Sequence, residues 1–418
     1  NDHYIQTYVD TNRIISDFGY IGVVSSNADA YVDSLSIQVI AEADKYLHET
    51  TIEYTFDSES ELNDFTSYFT ANGLDAIKDS AISNHWLIKN GVLQRVNDIN
   101  LAGGTTTNYA SLLFKEYYLN NYELSVDYKR GSDTSGWAGL ASKLRSFGNA
   151  GNNSGMLSFV QKEGIVTNWG RAGIGGPTAS ERINGYDDSS WHNLKVIVVN
   201  ETAKVLLDGK LYLTIEFTDG NQLLAGFLGL QSTNNNSAYD NLVLTALDAN
   251  GNPTALKARE DQRKIAIIGD SISFGAELTD EAGNYSLADN YANRLQTILG
   301  EEFFIKNFGV SGRTLLSTGD TPFINDPEYI VSQNFKPDVV MIMLGTNDSK
   351  RINWLGDSVA TLYKADYIAL INSYKTINPD VKVILMTSPT TYHEIVPDHI
   401  VSGIIVPLQR EIATETGS

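Results

Sequence analysis

Around residue 263 the spacing of apolar side chains changes, and that change assigns the chain to two kinds of fold. Over residues 45–247 apolar and polar residues alternate in short runs such as TIEYTF, HWLIKNGVLQRV, YELSVDYKR, NLKVIVVN and KVLLDGKLYLTIEF. Gly-, Asn- and Ser-rich segments such as GSDTSG and GNAGNNSG separate them. Alternation of period two buries one face of each run, so this region predicts an antiparallel β-sandwich. Asp208-Gly209 predicts a tight hairpin between two of the runs. Beyond residue 263, KIAIIG, FFIKNFG, DVVMIMLG and VKVILMTSP are continuous apolar runs, as expected of strands covered on both faces. YANRLQTIL and LYKADYIALINSYKTI lie between them with apolar spacing near 3.6, and IIVPLQREIATETG begins a further helix. Alternating β and α elements predict a doubly wound parallel sheet over 264–418. Residues 248–263, DANGNPTALKAREDQR, are polar with Gly and Pro and read as a linker.

Residues 19–40 and 226–247 align without a gap over 22 positions, six of them identical, Gly19/Gly226 and Asp33/Asp240 among them. Each copy is two β-rich runs around a Ser/Asn loop and reads as a hairpin. Residues 1–44 are accordingly expected to be the terminal strands of a preceding, similar jelly roll. Two alternatives stand beside this: a chance likeness between hairpins, and pairing of the first hairpin with the next sheet's edge.

Composition narrows the partners. Thirty basic and 51 acidic side chains give a net charge of −21, which argues against nucleic acid and against docking on an anionic membrane. With no cysteine, disulfides, thiolate catalysis and Cys-based zinc sites are excluded. No apolar run approaches the roughly 18 residues a membrane span needs. An exported, cell-surface or virion-surface protein is the expectation, and the sequence gives no oligomeric state.

Strand ends in a doubly wound sheet are where ligands collect. Three of the predicted strands end in polar sets: Gly269-Asp270-Ser271-Ile272-Ser273, then Asn307 to Arg313 through GVSG, then Gly345-Thr346-Asn347-Asp348. Ser271 follows its strand through a glycine and opens a helix-like segment, which exposes its Oγ. Gly312 can offer an unobstructed backbone N–H and Asn347 a side-chain N–H, the donors an acyl-transfer site aims at a developing oxyanion. Ser271, Asn347 and Asp348 could each serve instead as helix caps.

GDSI at 269–272, GVSG at 309–312 and GTND at 345–348, in that order, resemble the blocks of the SGNH, or GDSL-type, hydrolases over residues 262–418. The resemblance implies a flavodoxin-like domain with Ser271 as nucleophile, Gly312 and Asn347 as oxyanion donors, Gly269 and Asp270 in support, and no metal or organic cofactor. It also implies an Asp-x-x-His block supplying the base. No D-x-x-H follows Ser271, so the domain is expected to be incomplete at its C-terminus, with that block beyond residue 418. His393 and His399 lie in TTYHEIVPDHI, but Asp398 is adjacent to His399 and cannot easily orient it.

In the sandwich, WLIKNGVL, YELSVDYKR, WHNLKVIVV, VLLDGKLY and GFLGLQS resemble the concanavalin-like and laminin-G-like jelly rolls over 50–247. The resemblance implies carbohydrate binding. No E-x-D-x-x-E cluster suits a retaining glycosidase. Trp137 and Trp169, in Gly-rich, loop-like surroundings, are candidate sugar contacts or core fillers. Trp86 and Trp191 read as core residues. Asp240 and Asn241 offer two oxygens, too few for Ca²⁺, and read as a turn. Together the two halves predict a serine ester hydrolase that removes O-acetyl or similar acyl groups from a polysaccharide. The competing expectation is a non-catalytic glycan-binding adhesin or phage tail protein with a structural SGNH-like domain.

Overall fold

A computed structural model of the chain describes residues 49–418 except 72–76, 79, 97–106, 131–135, 145–154, 162–163, 171–177, 188, 218–224, 234–235, 277, 279–289 and 357. The first copy of the repeat and all of 1–44 lie outside the described residues.

Among the described residues, the N-terminal part forms two antiparallel sheets of eight strands each. One runs through Lys210–Glu216, Thr202–Leu207, His192–Val199, Tyr122–Lys129, Ala238–Ala246, Val92–Arg95 and Trp86–Lys89, with Thr51–Tyr54 also paired to Ala238–Ala246. The other runs through Thr178–Arg182, Gly164–Gly170, Gly155–Gln161, Ala138–Leu144, Gly226–Thr233, Thr107–Leu119, Phe65–Ala71 and Ile77–Lys78. Alternation decides what is buried: Leu194, Val196 and Val198 point inward with Leu124 and Val126, and meet Leu112, Phe114, Leu228 and Leu230 of the other sheet. Asp208 and Gly209 take φ of 50° and 74°, the mirror-image turn that matches strand twist, and Leu207 pairs with Lys210.

Three expectations are corrected here. The runs of 226–247 do not pair as a hairpin. Gly226–Thr233 and Ala238–Ala246 belong to opposite sheets. A period-two pattern specifies which face is buried and leaves the pairing partner open. Trp169 is in a strand, Gly164–Gly170, because Ile165, Val166 and Thr167 before it favour extended backbone. Trp191 is 45% exposed, whereas Trp86 is fully buried. The linker residues 248–263 touch both parts: Leu256 is buried in the sandwich core with its N–H on Glu49 O, and Gln262 donates to the carbonyls of Glu301 and Phe303.

The C-terminal part is a four-stranded parallel sheet in the order Phe303–Asn307, Arg263–Gly269, Val339–Met343, Lys382–Leu385. Helices Tyr291–Leu299, Pro327–Asn334 and Ser358–Ile377 connect successive strands. The second helix was not foreseen from sequence. Pro327 at its first turn and buried Glu328 and Ser332 mask its period. Ala266, Ile268, Val340 and Ile342 pack with Tyr363, Tyr367, Leu370, Ile371 and Tyr374 of the long helix. Tyr118 of the sandwich joins this second core, and its ring lies 4.8 Å from that of Phe227, edge-on. Among the described residues no helix is long and apolar enough to cross a membrane.

Candidate active site

Parallel register sets the level of the rim. Ile267 pairs with Asn307 and Gly269 with Met343, so the three polar blocks leave the sheet side by side. After Gly269 the chain turns sharply into a single helical turn, Ser271–Phe274. A Cβ on Gly269 would lie 1.9 Å from Ser273 Oγ and 2.9 Å from Met343 O, so only glycine permits that turn. Gly309 is needed for the same reason: a Cβ there would meet Phe274 N at 2.7 Å. Val310 N–H donates to Gly269 O at 3.0 Å and pins the second block to the first.

Asp270 caps the turn: its Oδ1 accepts from Ile272 N at 3.0 Å. The capping alternative for Ser271 therefore falls. Ser271 is the first helical residue, is half-buried, and its Oγ makes no hydrogen bond to a described residue. The helix is only four residues long, so little macrodipole acts on its N–H. Gly312 has φ of +84° with open space where a Cβ would be, and its carbonyl accepts from Thr321 Oγ1 at 2.7 Å.

Asn347 ties the blocks together. Its Nδ2 lies 3.3 Å from Asp270 Oδ2, next to Ser271, and 3.2 Å from Arg313 O, next to Gly312. Its own carbonyl accepts from Asn353 Nδ2 at 2.9 Å. The carboxamide thus caps no helix; it spans the gap between the other two blocks. Arg313 pairs with buried Asp326 and donates to Ser311 O.

Sequence gave Asp348 no role beyond a cap, and the structure gives it one. Its carboxylate is fully buried and accepts from Leu315 N at 3.0 Å and Leu316 N at 2.7 Å. A carboxylate directly after the strand-end Asn was the available signal. Burial pushes the Asp270 carboxyl up to about 6 and that of Asp348 up to about 7, the latter raised further by the nearby Asp270 charge.

Among the described residues no hydrogen bond joins either histidine of the 391–400 segment to a carboxylate. His393 Nδ1 accepts from Ile395 N at 3.2 Å. Asp398 accepts from Thr391 N at 3.0 Å and from Ser402 Oγ at 2.6 Å, hydrogen bonds that hold its carboxyl below the usual range. In the sandwich, Trp169 packs on the core with its ring 6.3 Å from Phe217. Trp137 instead groups with Tyr109 and Phe159, at ring distances of 6.0 and 5.1 Å, on the outer face of its sheet. Asn241 takes φ of +47° at a bulge and donates to Asp127. Among the described residues no group of three or more His, Asp or Glu is placed to hold a metal ion.

Residues 267–415 match the model of the GDSL-like Lipase/Acylhydrolase family, and residues 64–245 that of the 3-keto-alpha-glucoside-1,2-lyase-like domain. The chain is 33% identical over 183 residues to an acetylxylan esterase of Xylanibacter ruminicola, an alignment covering 38% of this chain and 35% of that protein. It thus spans about a third of the length of this curated relative. A family two carbohydrate esterase from Cellvibrio japonicus is similar at 12% identity, over 85% of this chain and 87% of that one, with a TM-score of 0.29. The laminarinase from Rhodothermus marinus is similar at 11% identity, over 48% and 98%, with a TM-score of 0.38.

Proposed function

We propose that the α/β part is a serine ester hydrolase that removes O-acetyl or similar acyl groups from a polysaccharide, with the sandwich as its glycan-binding companion. One observation carries this: the Asn347 carboxamide is hydrogen-bonded at once to the neighbour of Ser271 and to the neighbour of Gly312. A hydroxyl and several N–H donors on one rim are what acyl transfer needs. The acylhydrolase match of residues 267–415 supports the reaction class, and the acetylxylan esterase likeness supports acetyl as the acyl group.

In the reaction, Ser271 Oγ attacks the acyl carbonyl while its proton passes to a base. The carbonyl oxygen becomes an oxyanion, which accepts from the N–H groups of Ser271 and Gly312 and from Asn347 Nδ2. Because both Asn347 protons already have acceptors, the oxyanion takes one over from a long bond at 3.2 or 3.3 Å. Collapse expels the sugar alkoxide, which takes the proton, and water then cleaves the acyl-enzyme by the same sequence. An extracellular or cell-surface site of action fits a polymeric substrate.

The test is release of acetate from acetylated xylan and of phenol from an aryl acetate by the protein and by Ser271→Ala. The variant should retain no more than about a thousandth of the rate. Turnover surviving Ser271→Ala overturns the assignment. The adhesin alternative draws on the Trp137, Tyr109 and Phe159 group; glycan binding without any turnover would favour it.

A further inference from the structure

We propose that Asp348 is a positioning residue for this site, holding the Gly312 N–H opposite Ser271 by suspending the 311–316 loop from its buried carboxylate. The inference rests on the esterase reading and adds a residue that touches neither substrate nor reacting atoms.

The loop is also anchored elsewhere: Arg313 pairs with Asp326, Ser317 N–H donates to Asp366 at 2.7 Å, and Leu315 and Leu316 are buried in the core. Gly312 sits in open space and Gly319 packs directly on Thr314. Thr314 N–H donates to Thr321 O and Thr321 Oγ1 to Gly312 O, which closes the loop on itself. Against the end of the third strand it is tied at Arg313 O by Asn347 Nδ2 and, just beyond, at Leu315 N and Leu316 N by Asp348. The carboxylate thus carries two consecutive buried amides of the loop just beyond Gly312 and helps set the distance between the Gly312 and Asn347 donors. Both of its oxygens are used, one per amide, so the suspension is strongest in the ionised form; a proton leaves one oxygen a much poorer acceptor.

The charged and titratable groups nearby include Asp366 of the helix Ser358–Ile377, whose carboxylate accepts from the next amide of the loop, Ser317 N, at 2.7 Å. Asp270 faces Asp348 from the end of the first strand, and Lys350 acts on Asp270. Tyr363 and Tyr367 face it from the helix Ser358–Ile377, and burial raises both phenols well above their usual range, so they stay neutral between pH 5 and 9. Burial lifts the carboxyl of Asp348 to about 7. The suspension is therefore complete above neutrality and weakens as pH falls through that value.

The experiment compares kcat of the protein and of Asp348→Asn on an aryl acetate between pH 5.5 and 8.5. Asparagine keeps the shape but offers one acceptor. At pH 8.5 kcat should fall about 100-fold, the loss that follows roughly 1 Å of misplacement, with KM within about threefold. The ratio of the two kcat values should shrink towards unity by pH 5.5, because the wild-type loop then loses the same acceptor. Any base that titrates equally in both proteins cancels in that ratio. A ratio that is constant with pH, or a kcat unchanged at pH 8.5, overturns the proposal. Should the variant not fold, amide hydrogen exchange on the wild type decides. Leu315 and Leu316 should lose protection, after correction for intrinsic rates, between pH 8.5 and 5.5; equal protection refutes the suspension. Turnover that survives Ser271→Ala would defeat the esterase reading, whereas abolition there with Asp348→Asn tracking the wild type would defeat the positioning role alone.

Discussion

Replacing Asn347 by alanine separates catalysis from folding at this site. The side chain supplies one oxyanion donor, and removing a single such donor costs about 10²–10³ in kcat, roughly 3–4 kcal/mol of transition-state stabilisation. Its ground-state worth is smaller. It makes two hydrogen bonds through Nδ2, at 3.3 Å to Asp270 and 3.2 Å to Arg313, both at the long end of the useful range. At about 0.5–1 kcal/mol each, their loss together with the small void removes roughly 1–2 kcal/mol of stability. A domain with about 5 kcal/mol or more to begin with stays over roughly 99% folded after that. The loss of rate at 25 °C must then come from the transition state. The assay is steady-state hydrolysis of an aryl acetate alongside thermal unfolding: kcat falling at least about 100-fold, KM changing little, and the melting temperature dropping by about 2–5 °C. A kcat within about threefold of the wild type would show that Asn347 only braces the rim. A fall in kcat that tracks the unfolded fraction would refute the reasoning equally.

The remaining predictions concern stability. Asp270 is buried with its carboxyl raised to about 6, so the folded state holds its proton more tightly than the unfolded chain. That contribution is complete below pH about 4 and is lost as pH rises through 6. Relative to Asp270→Asn, which keeps the cap, the wild type should therefore lose on the order of 1–3 kcal/mol between pH 4.5 and 7.5 in denaturant titrations; a pH-independent difference would contradict the burial argument. Tyr118→Ala removes a ring that belongs to a sandwich strand yet is buried in the core of the α/β part. It should cost about 3 kcal/mol and lower the unfolding temperature of the α/β part in calorimetry. A melting temperature unchanged within about 1 °C would show that the ring contributes no coupling.

Most of the two architectures was legible because periodicity reports burial. Ile265, Ala266, Ile267 and Ile268 in unbroken succession predict a strand covered on both sides, and the strand is so covered. The alternation of Leu194, Val196 and Val198 predicts one buried face, and those residues line the sandwich core. Glycine carried similar information: Gly269 and Gly309 mark places where backbone approaches too closely for a side chain. What periodicity does not encode is partnership. GFLGLQS and AYDNLVL read as neighbours because they are adjacent in sequence, yet they pair with different sheets. Trp191 has the composition of a core strand start and is exposed, while Trp137 and Trp169, alike in local sequence, face opposite sides of their sheet.

At the site the division is similar. Sequence alone specified the residue types and their order: a serine after a glycine turn, a glycine with a free amide, an asparagine and an aspartate at a strand end. Those are local properties of short peptides, set by turn geometry and by strand length. Only the tertiary structure decided what joins them. The Asn347 carboxamide bridging Asp270 and Arg313, and the Asp348 carboxylate carrying Leu315 and Leu316, are contacts between residues 32 to 77 positions apart. They exist because parallel register brings three strand ends level, and because a buried carboxylate must find donors wherever the packed chain places them.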